Sequence, residues 1–129
     1  MSDTDRIHAK INQLYRLRER LLLRPLAPPN IWISQYKITR EYPNSTMTHT
    51  YTYAKWEALE PIFERKKQDK INSKASKYTK HQHIGRVSST SNLPMDESVK
   101  QAYIEQRNRR RLDRVESAIN KIESAINNF

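Results

Sequence analysis

His81 and His83 flank Gln82. Alternate residues on an extended strand project from one face, so the two imidazoles are spaced to act together as metal ligands, with a third ligand drawn from elsewhere. The plainer reading is a solvent-facing histidine pair, and no metal site is expected. No acid pair, Ser/His/Asp set or activated lysine stands out. The single glycine, Gly85, cannot build a GxxxxGK or GxGxxG phosphate loop, which needs several positions of positive φ or close backbone approach. With no cysteine, disulfides, thiolate zinc sites and iron–sulfur clusters are excluded together. The residues therefore predict binding without catalysis and without a cofactor.

Binding chemistry is abundant. The chain sets 24 Lys and Arg against 14 Asp and Glu, a net charge of +10, and such an excess steers polyanions toward the surface. Two segments concentrate it. Over 65–86, Arg65, Lys66, Lys67, Lys70, Lys74, Lys77, Lys80 and Arg86 face one acid, Asp69, so this stretch is a basic loop or the main electrostatic contact. Farther on, Arg107-Asn108-Arg109-Arg110-Arg111 is followed one turn later by Arg114. Phosphate contact is expected from Lys66, Lys67, Lys70, Lys74, Lys77, Lys80, Arg86, Arg107, Arg109, Arg110, Arg111 and Arg114. Base reading by Asn108 or Arg109 is the lesser role. Aromatic residues are interleaved with these cations: Trp32, Tyr36, Tyr51, Tyr53 and Trp56, then Tyr78. Single-stranded nucleic acid uses such a mixture, because bases stack on rings while cations follow the backbone. Trp32, Trp56 and Phe63 are expected in the core, which leaves Tyr36 and Tyr78 as stackers. DNA stands ahead of RNA as the partner.

These residues need elements to hold them, and 129 residues leave room for a single modest core, hence one domain over 1–129. Hydrophobic residues make up 36% and mean hydropathy is −0.97, so much of the chain must face water. A helix is predicted over 3–24, within an N-terminal segment 1–25, capped by Asp3 or Thr4 and stopped by Pro25. Its apolar stripe is Ile7, Ile11, Leu14, Leu17 and Leu21. Region 30–64 reads as a β-hairpin: 31–39 is β-branched and aromatic, 42–45 is a turn signal, and 46–53 alternates. Met47, His49, Tyr51 and Tyr53 fall on one face and the threonines on the other. Residues 55–60 read as a helical turn. Within the basic loop 65–92, a third strand is expected over 78–87. The last helix is placed over 95–129, running to about Asn127 and capped by Asp96 or Ser98. Its apolar residues Leu112, Val115, Ile119, Ile122, Ile126 and Phe129 recur at heptad a and d spacing. That seam predicts either an oligomer interface through Leu112, Val115, Ile119, Ile122 and Ile126, giving a homodimer, or pairing with the N-terminal helix. The fold class is α+β.

A basic stretch followed by a heptad seam resembles the layout of basic-zipper proteins, which implies a helix entering the major groove and two copies held by the zipper. His81-Gln82-His83 with Tyr103 resembles the HUH class of single-strand endonucleases and transposases, which implies a metal-binding pair and a tyrosine nucleophile. Gln82 departs from that class, where a hydrophobe stands, and its first strand is missing. His83-Ile84-Gly85-Arg86 matches the HxxR of tyrosine recombinases in a chain too short for that catalytic domain. Tyr51-Thr52-Tyr53, Lys77-Tyr78 and His83-Ile84-Gly85, with the arginine-rich helix behind them, resemble small basic proteins carried by bacterial plasmids and transposons. Those relatives hold a cysteine-rich knuckle before the tyrosine strand, and this chain does not. The resemblance implies a mobile-element setting. The acidic N-terminus and the lack of an apolar run near 18 residues predict a cytoplasmic protein with no membrane partner. The reading is a non-enzymatic nucleic-acid-binding protein. The alternatives are a coiled-coil adaptor of the plasmid-partition or filament-associated kind, recruiting a protein through the last helix, and an HUH-type nuclease.

Overall fold

Ser2 opens the first helix: its hydroxyl accepts from the Asp5 N–H, a cap one residue earlier than Asp3 or Thr4. Asp3 and Asp5 then lie in the first turn, where the helix dipole favours acids. This helix, α1, covers Asp3–Leu22 and closes as the Leu23 and Arg24 N–H groups return to Arg20 and Leu21. Pro25 disfavours helical backbone at the residue before it, so the helix stops short of Arg24. The computed structural model describes residues 2–43, 46–65, 77–90 and 93–128. It forms two compact units, Met1–Ala27 with Ile104–Phe129, and Pro28–Tyr103. The second helix, α2, covers Glu97–Asn127 and contributes to both.

In the helical unit the heptad seam meets α1. Leu112, at 1% exposure, packs with Leu21, Val115 and Ile119, and Leu14, Tyr15 and Leu26 close the cluster. Tyr15 Oη donates to the Glu123 carboxylate, and the Arg18 guanidinium lies 4.9 Å from the Tyr15 ring centre. Of the residues expected at an oligomer interface, Leu112, Val115 and Ile119 are thus buried within the chain itself. Ile122 is half-buried and Ile126 exposed.

The other unit is built on a three-stranded antiparallel sheet in the order β1-β2-β5. Strand β1 is Ile31–Glu41, β2 is Thr48–Ala58 and β5 is His81–Ser89. Asn30 enters β1 with φ at 65°, a left-handed conformation that asparagine tolerates better than most side chains. Strands β1 and β2 pair from Glu41 opposite Thr48 to Ile31 opposite Ala58. Residues 55–60 therefore do not form a helical turn: Lys55 to Ala58 continue the central strand, held by ladders on both sides. Pairing outweighs the local propensity there. The two short strands β3, Phe63–Glu64, and β4, Tyr78–Thr79, form a separate pair. Register shifts leave Ile84 and Val87 as extra residues on β5.

Alternation gives the sheet two unlike faces. Thr50, Thr52, Ala54, Trp56 and Ala58 share one face with Ile31, Ile33 and Gln35 of β1. Ala54, Trp56 and Ala58 are buried. The start of α2 packs on this side, where Val99 and Ala102 are buried. Gly85, opposite Ala54, permits the approach: a Cβ built on it would lie 2.6 Å from Ser98 Oγ and 2.9 Å from Asp96 Oδ2. The expected capping side chains are used otherwise. Asp96 accepts from the Arg86 N–H at 2.8 Å, and Ser98 donates to the Ile84 carbonyl at 3.0 Å, so both fasten α2 to β5. Phe63 is buried as expected, but Trp32 is 37% exposed because odd and even positions of β1 divide between the faces. No helix among the described residues is long and apolar enough to cross a membrane.

Candidate nucleic-acid interface

The second face of the sheet carries Trp32, Ser34, Tyr36, Ile38 and Arg40 from β1, set by register against Glu57, Lys55, Tyr53, Tyr51 and His49 of β2. From β5, His81 stands opposite Glu57 and His83 opposite Lys55. None of these side chains is fully buried. The rings form a connected surface. Tyr36 and Tyr53 are 5.7 Å apart between centres and tilted by 32°, Tyr51 and Tyr53 stack at 6.2 Å, and His83 lies 5.5 Å from Tyr53. At the hairpin end, Tyr42 meets His49 edge-on at 5.2 Å.

Hydrogen bonds fix this surface. Tyr36 Oη bonds His83 Nδ1 at 3.0 Å, and the Tyr42 and Tyr51 hydroxyls bond each other at 3.1 Å. The bond from Tyr42 is the main reason the Tyr51 phenol is held above its ordinary pKa, so it stays neutral. Cations flank the rings at both ends, Arg40 at 5.8 Å from the Tyr51 centre and Lys55 at 5.3 Å from that of Tyr36. Lys55 also pairs with Glu57 at 3.3 Å. Partial burial pushes the Glu57 carboxyl up, but the Lys55 ammonium and the Trp32 Nε1–H that engage it outweigh burial and hold the group below the usual glutamate value. His81 completes this end, 3.4 Å from the same carboxylate.

The cations expected to meet phosphate divide three ways. Lys66, Lys67, Lys70 and Lys74 lie outside the described residues. Arg86 and Arg109 are committed to the fold: Arg86 to Asp96 at 3.4 Å, and Arg109 to the Ala27 carbonyl at 2.6 Å and Asp113 at 3.8 Å. Asn108, 4% exposed, donates to the Pro25 carbonyl at 3.0 Å, so it is a structural residue and not a base reader. Arg107, Arg110, Arg111 and Arg114 are exposed and, among the described residues, pair with no carboxylate. Their spacing of three, one and three sets them on one helical stripe. Lys77 and Lys80 are exposed, with Lys77 Nζ 5.8 Å from the Tyr78 ring centre.

Of the two expected stackers, Tyr36 belongs to the ring surface and Tyr78 to the short β3–β4 pair. In the sequence, Tyr51 and Tyr53 count among the aromatics but not as stackers, and His83 only as half of a histidine pair. The signal was present in the alternation of 46–53, but nothing there said which face was covered. The geometry also separates the parts of an HUH site. Tyr103 Oη accepts from Gln35 Nε2 at 2.9 Å. Gln35 shares its face with Ala54, whereas His81 and His83 belong to the opposite face. Among the described residues, no three His, Cys, Asp or Glu side chains gather as a metal site. No protein-family model, curated protein or solved structure matches the chain.

Proposed function

We propose that this chain is a small cytoplasmic protein that binds nucleic acid without catalysis, in the setting of a mobile element. One observation carries the reading: a three-stranded sheet bears four linked rings flanked by Arg40 and Lys55, with Tyr36, Tyr51 and Tyr53 half-buried and His83 exposed. A ring surface of that kind is ordinarily spent on a core. Its position on a chain of net charge +10, with the exposed stripe of Arg107, Arg110, Arg111 and Arg114, favours a polyanion that also offers flat apolar surfaces. The test is fluorescence anisotropy with a labelled 20-mer, single-stranded and duplex, at 50 and 200 mM salt. Affinity for at least one form is expected to fall at least about tenfold over that interval. Unchanged affinity, or none at 50 mM, rejects the proposal.

A second reading rests on the helical unit. Ile7, Ile122, Ala125 and Ile126, with Arg6 and Lys10, line an open apolar groove of about 460 Å³. The groove lies between the first turns of α1 and the last turns of α2, where the two helices leave apolar side chains open, and it favours an adaptor or dimer contact through the end of α2. Ile126, exposed at 41%, is the position to change, since Ile119 is core. Ile126→Asp is expected to abolish self-association or partner capture while leaving nucleic-acid affinity per subunit intact. Sedimentation of a monomer in both forms rejects the dimer.

A further inference from the structure

The ring face discriminates between kinds of nucleic acid. Resting on the binding function above, we propose that it takes an unpaired stretch of DNA, whose bases stack on Tyr36, Tyr53 and Tyr51.

Three observations lead there. First, the chemistry of the face is wrong for a duplex. Groove reading relies on Arg, Lys, Asn and Gln reaching base edges. Here the register places Trp, Tyr, His and Ile across the face, with Arg40 and Lys55 set over rings, Arg86 opposite Tyr53 but held by Asp96, and no Asn or Gln among them. A ring offers a base its π-face, and a paired base has both π-faces occupied by its neighbours. Only an unpaired strand can use this surface.

Second, the rings are arranged before any ligand arrives. Tyr36 is tied to His83 and Tyr51 to Tyr42, and Tyr53 sits between them, 5.7 Å from Tyr36 and 6.2 Å from Tyr51. Ordering these side chains has been completed in folding, so stacking does not carry that entropic cost. Because the hydroxyls of Tyr36, Tyr42 and Tyr51 already bond each other or His83, few groups remain to recognise a ribose 2′-hydroxyl. This is why DNA is named.

Third, charge bounds the site. Arg40 stands at the hairpin end, while Glu57 stands at the other, engaged by Lys55, Trp32 and His81. A phosphate is attracted at the first end, whereas at the second Glu57 offsets the charge of Lys55. The face between holds roughly two or three bases, the number a comparable four-stranded sheet accommodates.

The experiment compares oligo-dT of 15 residues, oligo-rU of the same length and a blunt 15-base-pair duplex by anisotropy at one salt concentration, for the full chain and for Tyr53→Ala, Tyr36→Ala and Tyr53→Phe. Oligo-dT is expected to bind at least about tenfold tighter than duplex. Each alanine variant is expected to lose about 5- to 100-fold for oligo-dT with duplex affinity unchanged, and Tyr53→Phe to retain binding. Far-ultraviolet dichroism and urea unfolding report that each variant is folded. Equal affinity for strand and duplex, or alanine variants that lose both alike, overturns the stacking proposal and leaves nucleic-acid binding standing. A tenfold preference for oligo-rU overturns the choice of DNA. Absence of binding to all three at low salt removes the underlying function as well.

Discussion

Gly85→Ala tests how the sheet and α2 are joined. The added methyl would lie 2.6 Å from Ser98 Oγ, 2.9 Å from Asp96 Oδ2 and 3.2 Å from Asp96 Cβ. Neither neighbour yields freely. Ser98 is bonded to the Ile84 carbonyl at 3.0 Å, and Asp96 receives the Arg86 N–H at 2.8 Å while its own N–H returns to the Arg86 carbonyl at 3.0 Å. Forcing a methyl into a filled site costs about 1–3 kcal/mol. Removing glycine stiffens the unfolded chain and offsets about 0.4–1 kcal/mol of that. A net loss of about 0.5–2 kcal/mol is expected. Urea unfolding followed by tryptophan fluorescence is the assay, since both tryptophans, Trp32 and Trp56, lie in this unit. In a Ser98→Ala background the nearest obstacle is gone, so the penalty should shrink by at least about 0.5 kcal/mol. A Gly85→Ala protein as stable as the parent, or a penalty indifferent to Ser98, would refute the packing argument.

In the helical unit, Leu112→Ala should cost about 2–5 kcal/mol, read by far-ultraviolet dichroism during urea unfolding, because the residue is 1% exposed in the cluster with Leu21. Asn108→Ala leaves the Pro25 carbonyl without its donor and should cost about 1–3 kcal/mol in the same assay. Glu57 has a lowered pKa in the folded chain, so the stability it contributes is present above the unfolded value and lost as pH falls through the folded one. Stability measured below about pH 4.3 should therefore decline less steeply in Glu57→Gln than in the parent. Replacing Arg110 and Arg111 together by Gln should make the slope of log affinity for nucleic acid against log salt shallower by about 1 to 1.5. An unchanged slope would mean that these two arginines meet no phosphate.

The α+β class, both helices and the hairpin were legible because each rests on a short-range pattern: the 3-4 spacing of Ile7 to Leu21, the heptad of Leu112 to Ile126, and the alternation of 46–53. What the sequence left open depends on partners distant along the chain. Lys55 to Ala58 read as helix because their place between β1 and β5 is not a local property. The heptad left dimer and intramolecular pairing open, and contact with Leu14, Tyr15 and Leu21 fills most of it from within. Asp96 and Ser98 resemble caps in isolation, yet their side chains answer to β5. In the candidate site, exposed arginines could not be told from structural ones by type alone. Arg109 and Arg110 are neighbours, and only the first finds a backbone carbonyl, that of Ala27. The ring face was hidden for a similar reason: alternation divides a strand in two, and only tertiary packing chooses the half that is covered.

The most direct measurement is the proton NMR spectrum of the aromatic side chains during titration with oligo-dT. Stacked bases shield the protons above which they lie, so the resonances of Tyr36, Tyr51, Tyr53 and His83 should move upfield together while those of buried Trp56 stay in place. Movement confined to groups of the helical unit, with these four rings unperturbed at saturation, would contradict the account.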